Sequence, residues 1–125
     1  MTNNPSKEIF IDGKYLEENP DHIFVFSYNL VRRGHGGAAA LRSYTNTYGF
    51  VTKKAPTHDS KDYFKPGEYR KVFKRELVEL MMEIADNQDK TYLITRLGAG
   101  LANKFGIYES IIRDRIRVLE KFDNV

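Results

Sequence analysis

The chain of 125 residues contains no cysteine. Disulfides, a thiol nucleophile and thiolate-bound metal are therefore excluded as sources of stability or chemistry. Long apolar runs are missing too: nothing approaches the ~20 residues needed to span a bilayer. The opening residues, Met1 to Lys7, lack the apolar centre of a secretory signal. A cytoplasmic protein with no membrane partner is the expectation. No group of side chains falls at metal-ligand spacing, so neither a metal nor a cofactor is expected. The lysine–serine pair of a Walker loop is absent, and Gly34-His35-Gly36-Gly37 does not have the spacing of the dinucleotide fingerprint. Both facts disfavour ATP hydrolysis and hydride transfer.

What is present suits a single domain over residues 1–125, with residues 1–7 expected as a flexible N-terminal stretch. The length is enough to close one core unaided, and 41% hydrophobic with 30% charged residues is an ordinary globular balance. Twenty basic residues against seventeen acidic ones leave a net charge of +3, a mild excess that favours anions without demanding nucleic acid.

Two apolar runs, Ile23 to Phe26 and Tyr92 to Ile94, predict strands buried on both faces. Weaker strands are expected at Glu8 to Ile11, ending in a turn at Asp12-Gly13, and at Phe50 to Lys53. Tyr69, Val72, Phe73, Leu77, Leu80, Met81 and Ile84 recur at helical spacing, with Pro66-Gly67 opening the helix and Asp86-Asn87 closing it. A second helix is expected from Tyr108 to Leu119, and a shorter one from Gly36 or Gly37 through Leu41 and Tyr44. Residues 54–65 read as an exposed polar loop. Strands alternating with helices imply an α/β fold, three layers deep, with a mixed or parallel sheet flanked by helices.

One pattern occurs twice: apolar strand, glycine-containing loop, helix. The loops are Ser27 to Gly37 and Arg96 to Gly106. A loop leaving a buried strand for a helix sits at the carboxyl edge of the sheet, where open α/β folds bind ligands. Its glycines let backbone approach a phosphate, and the following helix offers amides to the anion.

His22 to Ala40, with the run Ser27-Tyr28-Asn29-Leu30 and then Gly34-His35-Gly36-Gly37-Ala38-Ala39, followed by Thr95-Arg96-Leu97-Gly98-Ala99-Gly100, resembles the compact macro-domain-like proteins of bacteriophages and bacteria. Ser27 stands where that pattern has glycine, and Ala102-Asn103-Lys104 replaces a segment that usually carries another. The resemblance implies a macro-like fold, with a mixed central sheet, and a ligand related to ADP-ribose, gripped by both loops, in the host cytoplasm if the protein is phage-encoded. Ser27, Asn29, Arg33, Gly34, Gly36, Gly37, Ala38, Arg96, Gly98, Ala99, Gly100, Leu101 and Phe105 are the expected ligand contacts, with Asn29 near the distal ribose.

Asn29 suits a ribose hydroxyl or a backbone turn equally by its chemistry. Arg32, Arg33 and Arg96 can neutralise phosphate or simply be solvated charges. His35, between glycines, is with Asn29 the candidate for catalysis, or else a hydrogen-bond donor. His58-Asp59 reads as a turn. Tyr28, Tyr44, Phe64 and Phe105 are candidates to stack on a base, although most aromatics belong to cores. The leading expectation is a binder of a phosphate-bearing nucleotide-type small molecule. The alternatives are a hydrolase of an ADP-ribosyl, terminal phosphate or cyclic nucleotide bond, and a nucleic-acid binder using Arg32, Arg33, Lys53, Lys54 and the Arg113 to Lys121 face.

Overall fold

A computed structural model describes residues 11–32 and 41–125. Residues 1–10, with most of the expected first strand, and residues 33–40, with most of the expected short helix, lie outside the described residues; the described end of that helix, Leu41 to Tyr44, is a turn closed by the Tyr44 amide on the Leu41 carbonyl at 3.1 Å. Helix α1 spans Gly13–Glu18. The turn expected at Asp12-Gly13 is instead the start of this helix: the Asp12 carboxylate accepts the Tyr15 amide at 2.8 Å, satisfying one of the donors a helix start leaves over. Ile11 belongs to no strand. At the other end, Asn19 donates both its amide and its side-chain nitrogen to the Tyr15 carbonyl, and Pro20 follows.

Strands β1 (His22–Asn29), β2 (Thr47–Lys53) and β3 (Thr91–Ile94) form a sheet in the order β2-β1-β3. The alternation of elements leaves a mixed or a parallel sheet open, and the macro-like resemblance implies a mixed one; the three described strands are parallel throughout. Between Tyr28 and Asn29 the register slips, because Tyr28 faces Val51 while Asn29 faces Lys53 and leaves Thr52 without a counterpart. Asn46 ties the amino edge together, its side-chain nitrogen donating to the carbonyls of Leu16 at 2.9 Å and His22 at 3.1 Å.

Side chains on β1 alternate between two apolar clusters. Phe24, Phe26 and Tyr28 join Leu16, with Tyr15, Leu41 and Tyr44 against them. Val25 joins the larger cluster, built with Phe50, Ile94, helix α2 (Pro66–Asp86) and the helical run of residues 108–121. That run begins as a π-helical turn at Tyr108–Ile112 and ends as a tighter 3-10 stretch at Ile116–Lys121. Among the described residues, no helix is long and apolar enough to cross a membrane.

Helix α2 buries Tyr69, Phe73, Glu76, Leu80 and Ile84, a stripe at three- and four-residue spacing. Two of these residues finish the open edge of β2. Tyr69 Oη donates to the Val51 carbonyl at 2.5 Å, and Glu76 Oε1 accepts the Val51 amide at 2.8 Å. Residues 54–65 are not wholly exposed as expected: Tyr63 bridges antiparallel to Lys53, and Tyr63 and Phe64 are 6% and 4% exposed. Beyond β3 the edge is finished by Asn124, whose carbonyl accepts the Tyr92 amide at 2.7 Å while its side chain donates to the last carbonyls of α2.

Removing the tyrosine hydroxyl should leave the buried Val51 carbonyl unpaired. Tyr69→Phe is expected to lose about 1–3 kcal/mol in urea denaturation, and a loss within experimental error would show that water substitutes at that edge.

Alkali should act on the same region. Burial, followed by the Glu76, Glu79 and Glu83 carboxylates, pushes the Tyr48 hydroxyl from 10.0 up to about 12; burial and the Glu83 carboxylate, which accepts the hydroxyl hydrogen bond at 2.7 Å, raise Tyr92. A tyrosine with a raised value in the folded state contributes stability below its unfolded value and loses it as pH climbs through the folded one. The urea midpoint is therefore expected to hold up to about pH 10 and fall between there and pH 12, and a flat midpoint across that window would contradict this reading.

Candidate functional site

The chain leaves β1 and β3 toward opposite faces of the sheet. Past β1, beyond the exposed turn at Leu30 and Val31 and residues 33–40, Leu41 and Tyr44 pack on the cluster of Phe24, Phe26 and Tyr28. After β3, Ile107, Ile111, Ile112 and Ile116 pack on the cluster of Val25. Adjacent parallel strands whose continuations part in this way mark a topological switch point, and open α/β folds bind ligands outside the carboxyl ends of such strands.

Ser27 and Asn29, expected in the first loop, lie at the end of β1 itself. Pairing with β2 continues to Asn29 and Lys53, which pulls the polar end of the run into the strand. Asn29 is buried, and its carbonyl accepts the Arg32 amide at 3.0 Å in a turn that leaves Arg32 at φ 55. Leu30 and Val31 on this turn are exposed. Arg33, Gly34, His35, Gly36, Gly37 and Ala38 lie outside the described residues.

The second loop meets Ser27 directly. Gly98 donates its amide to Ser27 Oγ at 2.9 Å, and Thr95 Oγ1 donates to the Val25 carbonyl at 3.1 Å, so the loop is sewn to β1 just beyond β3. The Gly98 amide thus points into the protein. Its glycine is favoured by a φ of 77°, and the tip of the Ile112 side chain would have to shift to admit a Cβ. Ala99 closes a turn onto the Arg96 carbonyl at 3.2 Å, and Gly100 precedes a 3-10 turn over Leu101–Phe105. Gly100 and Leu101 are exposed, while Phe105 is half-buried with Lys65 and Lys104 near its ring.

Arg96 lies on the surface of this loop. Its Nε donates to Tyr108 Oη at 3.4 Å, and the guanidinium carbon sits 5.3 Å from the Tyr108 ring centre. The hydrogen bond to Tyr108 raises the guanidinium further above its ordinary value, so it stays charged. Asn103 orders the same corner: its Oδ1 accepts the Tyr108 amide at 2.9 Å and its Nδ2 donates to Glu109 at 2.9 Å, which holds that carboxyl below its usual value. Sequence reasoning misses Tyr108 and Asn103 as supports of Arg96, because their link crosses the loop and leaves no local pattern. Of the proposed stacking residues, Tyr28 and Phe64 are core, and Tyr44 packs beside Tyr28's cluster. His58 Nδ1 lies 3.3 Å from Tyr63 Oη. Among the described residues, no three histidine, aspartate or glutamate side chains converge as a metal site.

The structural coupling of the two strand ends can be measured. Gly98→Ala must adopt a left-handed backbone and displace Ile112, and is expected to cost at least about 2 kcal/mol in urea denaturation. Ser27→Ala, which removes only the acceptor, should cost about 1 kcal/mol. Equal stability of Gly98→Ala and the unaltered chain would refute the tight approach.

Searches among curated proteins and among solved structures find no match. Residues 7–104 match a family-wide sequence pattern that takes in all three strands, helix α2 and both glycine loops as far as Lys104. On that match the chain belongs to DUF7831, a family of unknown function.

Proposed function

We propose that the chain binds a phosphate-bearing nucleotide related to ADP-ribose at the carboxyl ends of β1 and β3, as a cytoplasmic binding module with a three-layer, macro-like fold. The observation that carries this reading is the switch point: β1 and β3 are adjacent and parallel, and their continuations go to opposite clusters. Around it stand a buried asparagine at the end of the central strand and a charged arginine braced by an aromatic ring. Arginine is suited to a diphosphate by its planar set of donors. The resemblance of the two glycine loops to macro-domain-like proteins points to ADP-ribose among phosphate-bearing ligands, and residues 33–38 enter the reading through their sequence alone.

With the Gly98 amide donated to Ser27, this corner would hold a ligand by the Arg96 guanidinium and by the amides near Gly100. Calorimetric titration with ADP-ribose, its cyclic forms and adenine nucleotides is expected to give saturable binding to at least one of them without product formation. Arg96→Ala should weaken that binding about tenfold, the worth of one charge-assisted hydrogen bond. No heat with any of these ligands would overturn the reading, and turnover seen by chromatography would replace a binder with a hydrolase.

A further inference from the structure

Three lysines from separate parts of the chain meet around two aromatic rings. Lys53 ends β2, Lys104 belongs to the second glycine loop and Lys65 immediately precedes α2. The Lys53 and Lys104 ammonium groups lie 4.4 Å and 5.5 Å from the centre of the Tyr63 ring. Lys104 is also 6.0 Å from the Phe105 ring centre, and Lys65 is 5.8 Å from it. The result is an alternating row: Lys53, Tyr63, Lys104, Phe105, Lys65. Each ammonium gains from the ring face it covers, and the shared rings keep like charges close that would otherwise drift apart.

Three carboxylates lie near this row, and none of them forms an ion pair with Lys53, Lys65 or Lys104 among the described residues. Glu68 accepts Lys54 Nζ at 2.8 Å and the Lys65 amide at 3.0 Å, and Lys54 with Lys65 holds it below its usual value. Asp62 accepts the Thr57 hydroxyl, and Asp59 faces Lys61 at 4.0 Å. Lys53 donates to the Thr57 carbonyl at 2.8 Å, a neutral partner that fixes its position and leaves its charge. Among the described residues, none of Lys53, Lys65 and Lys104 has a carboxylate within ion-pair distance.

We propose that this row is a second anion site, and that its ligand is a chain of linked phosphates. An ammonium acts on phosphate as a compact point charge with three donors. Three of them strung along two rings match an extended polyanion better than one phosphate. The rings are covered by lysines, so they offer no open faces on which successive bases would stack, and this argues against single-stranded nucleic acid. Lys53 is the β2 partner of Asn29 and Lys104 lies in the second loop, so the row borders the carboxyl edge, and the Arg96 variant separates it from the site proposed there.

The test is a calorimetric titration of the full chain with inorganic tripolyphosphate at low and at raised salt. Saturable binding that weakens with salt is expected, and it should persist in Arg96→Ala. Lys53→Gln and Lys104→Gln should each weaken it about tenfold, while Lys71→Gln on the exposed face of α2 removes the same charge and should leave it unchanged. Urea midpoints of all variants separate lost binding from lost folding. Were Lys53→Gln to unfold, Lys104→Gln at its exposed position would still decide. Absence of tripolyphosphate binding, equal weakening by Lys71→Gln, loss of binding in Arg96→Ala, or tighter binding of an oligothymidylate than of tripolyphosphate would each overturn the proposal.

Discussion

A parallel sheet of three strands has a central strand with two partners and two edge strands with one each. Every buried amide and carbonyl on those edges needs a partner, because leaving one unpaired costs about as much as a typical mutation. Here side chains and irregular backbone supply them. Tyr69 and Glu76, two turns apart on one stripe of α2, close both polar groups of Val51. On the far side Asn124 offers its carbonyl to Tyr92 and its side-chain amide to the end of α2. The position of α2 therefore follows from hydrogen bonding as much as from burial. Its stripe has to deliver a phenol and a carboxylate at the same residue of β2.

The same constraint shapes the carboxyl edge. Ser27 is the point where strand and loop join, since its hydroxyl takes the Gly98 amide and places the second loop against the central strand. Gly98 in turn lets Ile112 come close, so the helical run after the loop packs up to the strand ends. Arg96 is left on the outside, held by Tyr108, and Tyr108 is held by Asn103. The loop thus commits the Gly98 and Ala99 amides to the fold and presents the Arg96 side chain outward.

Helical periodicity makes α2 legible in the amino-acid sequence, because its core face repeats over several turns and both ends carry boundary signals. The apolar centres of β1 and β3 are legible for a similar reason: a run of bulky residues has few other uses. Ser27 and Asn29 do not read as strand, since polar residues after an apolar run look like a loop, and only the pairing with Phe50 and Lys53 extends the strand. Asp12-Gly13 misleads differently. An aspartate that bonds a backbone amide nearby serves a turn or a helix start equally well, and local sequence does not choose. The burial of Tyr63 and the lysine row around it depend on a bridge to Lys53 and on a loop far along the chain, so no short window contains them. The two glycine loops at the carboxyl edge are legible, since each follows an apolar strand, whereas the switch point rests on the strand order β2-β1-β3, which no local pattern contains.

The strand order also has a consequence in time. The central strand is the first of the three to be synthesised, and one of its partners, β3, is the last, with β2 and all of α2 made between them. Until β3 emerges, Phe24, Val25 and Phe26 have one neighbour and an open side, which is the condition in which an apolar strand is exposed to association with another chain. In order of synthesis the sheet receives the last of its described strands late, and the loop that seats Gly98 against Ser27 follows directly. The two strand ends of the candidate site can meet only after most of the chain has been made.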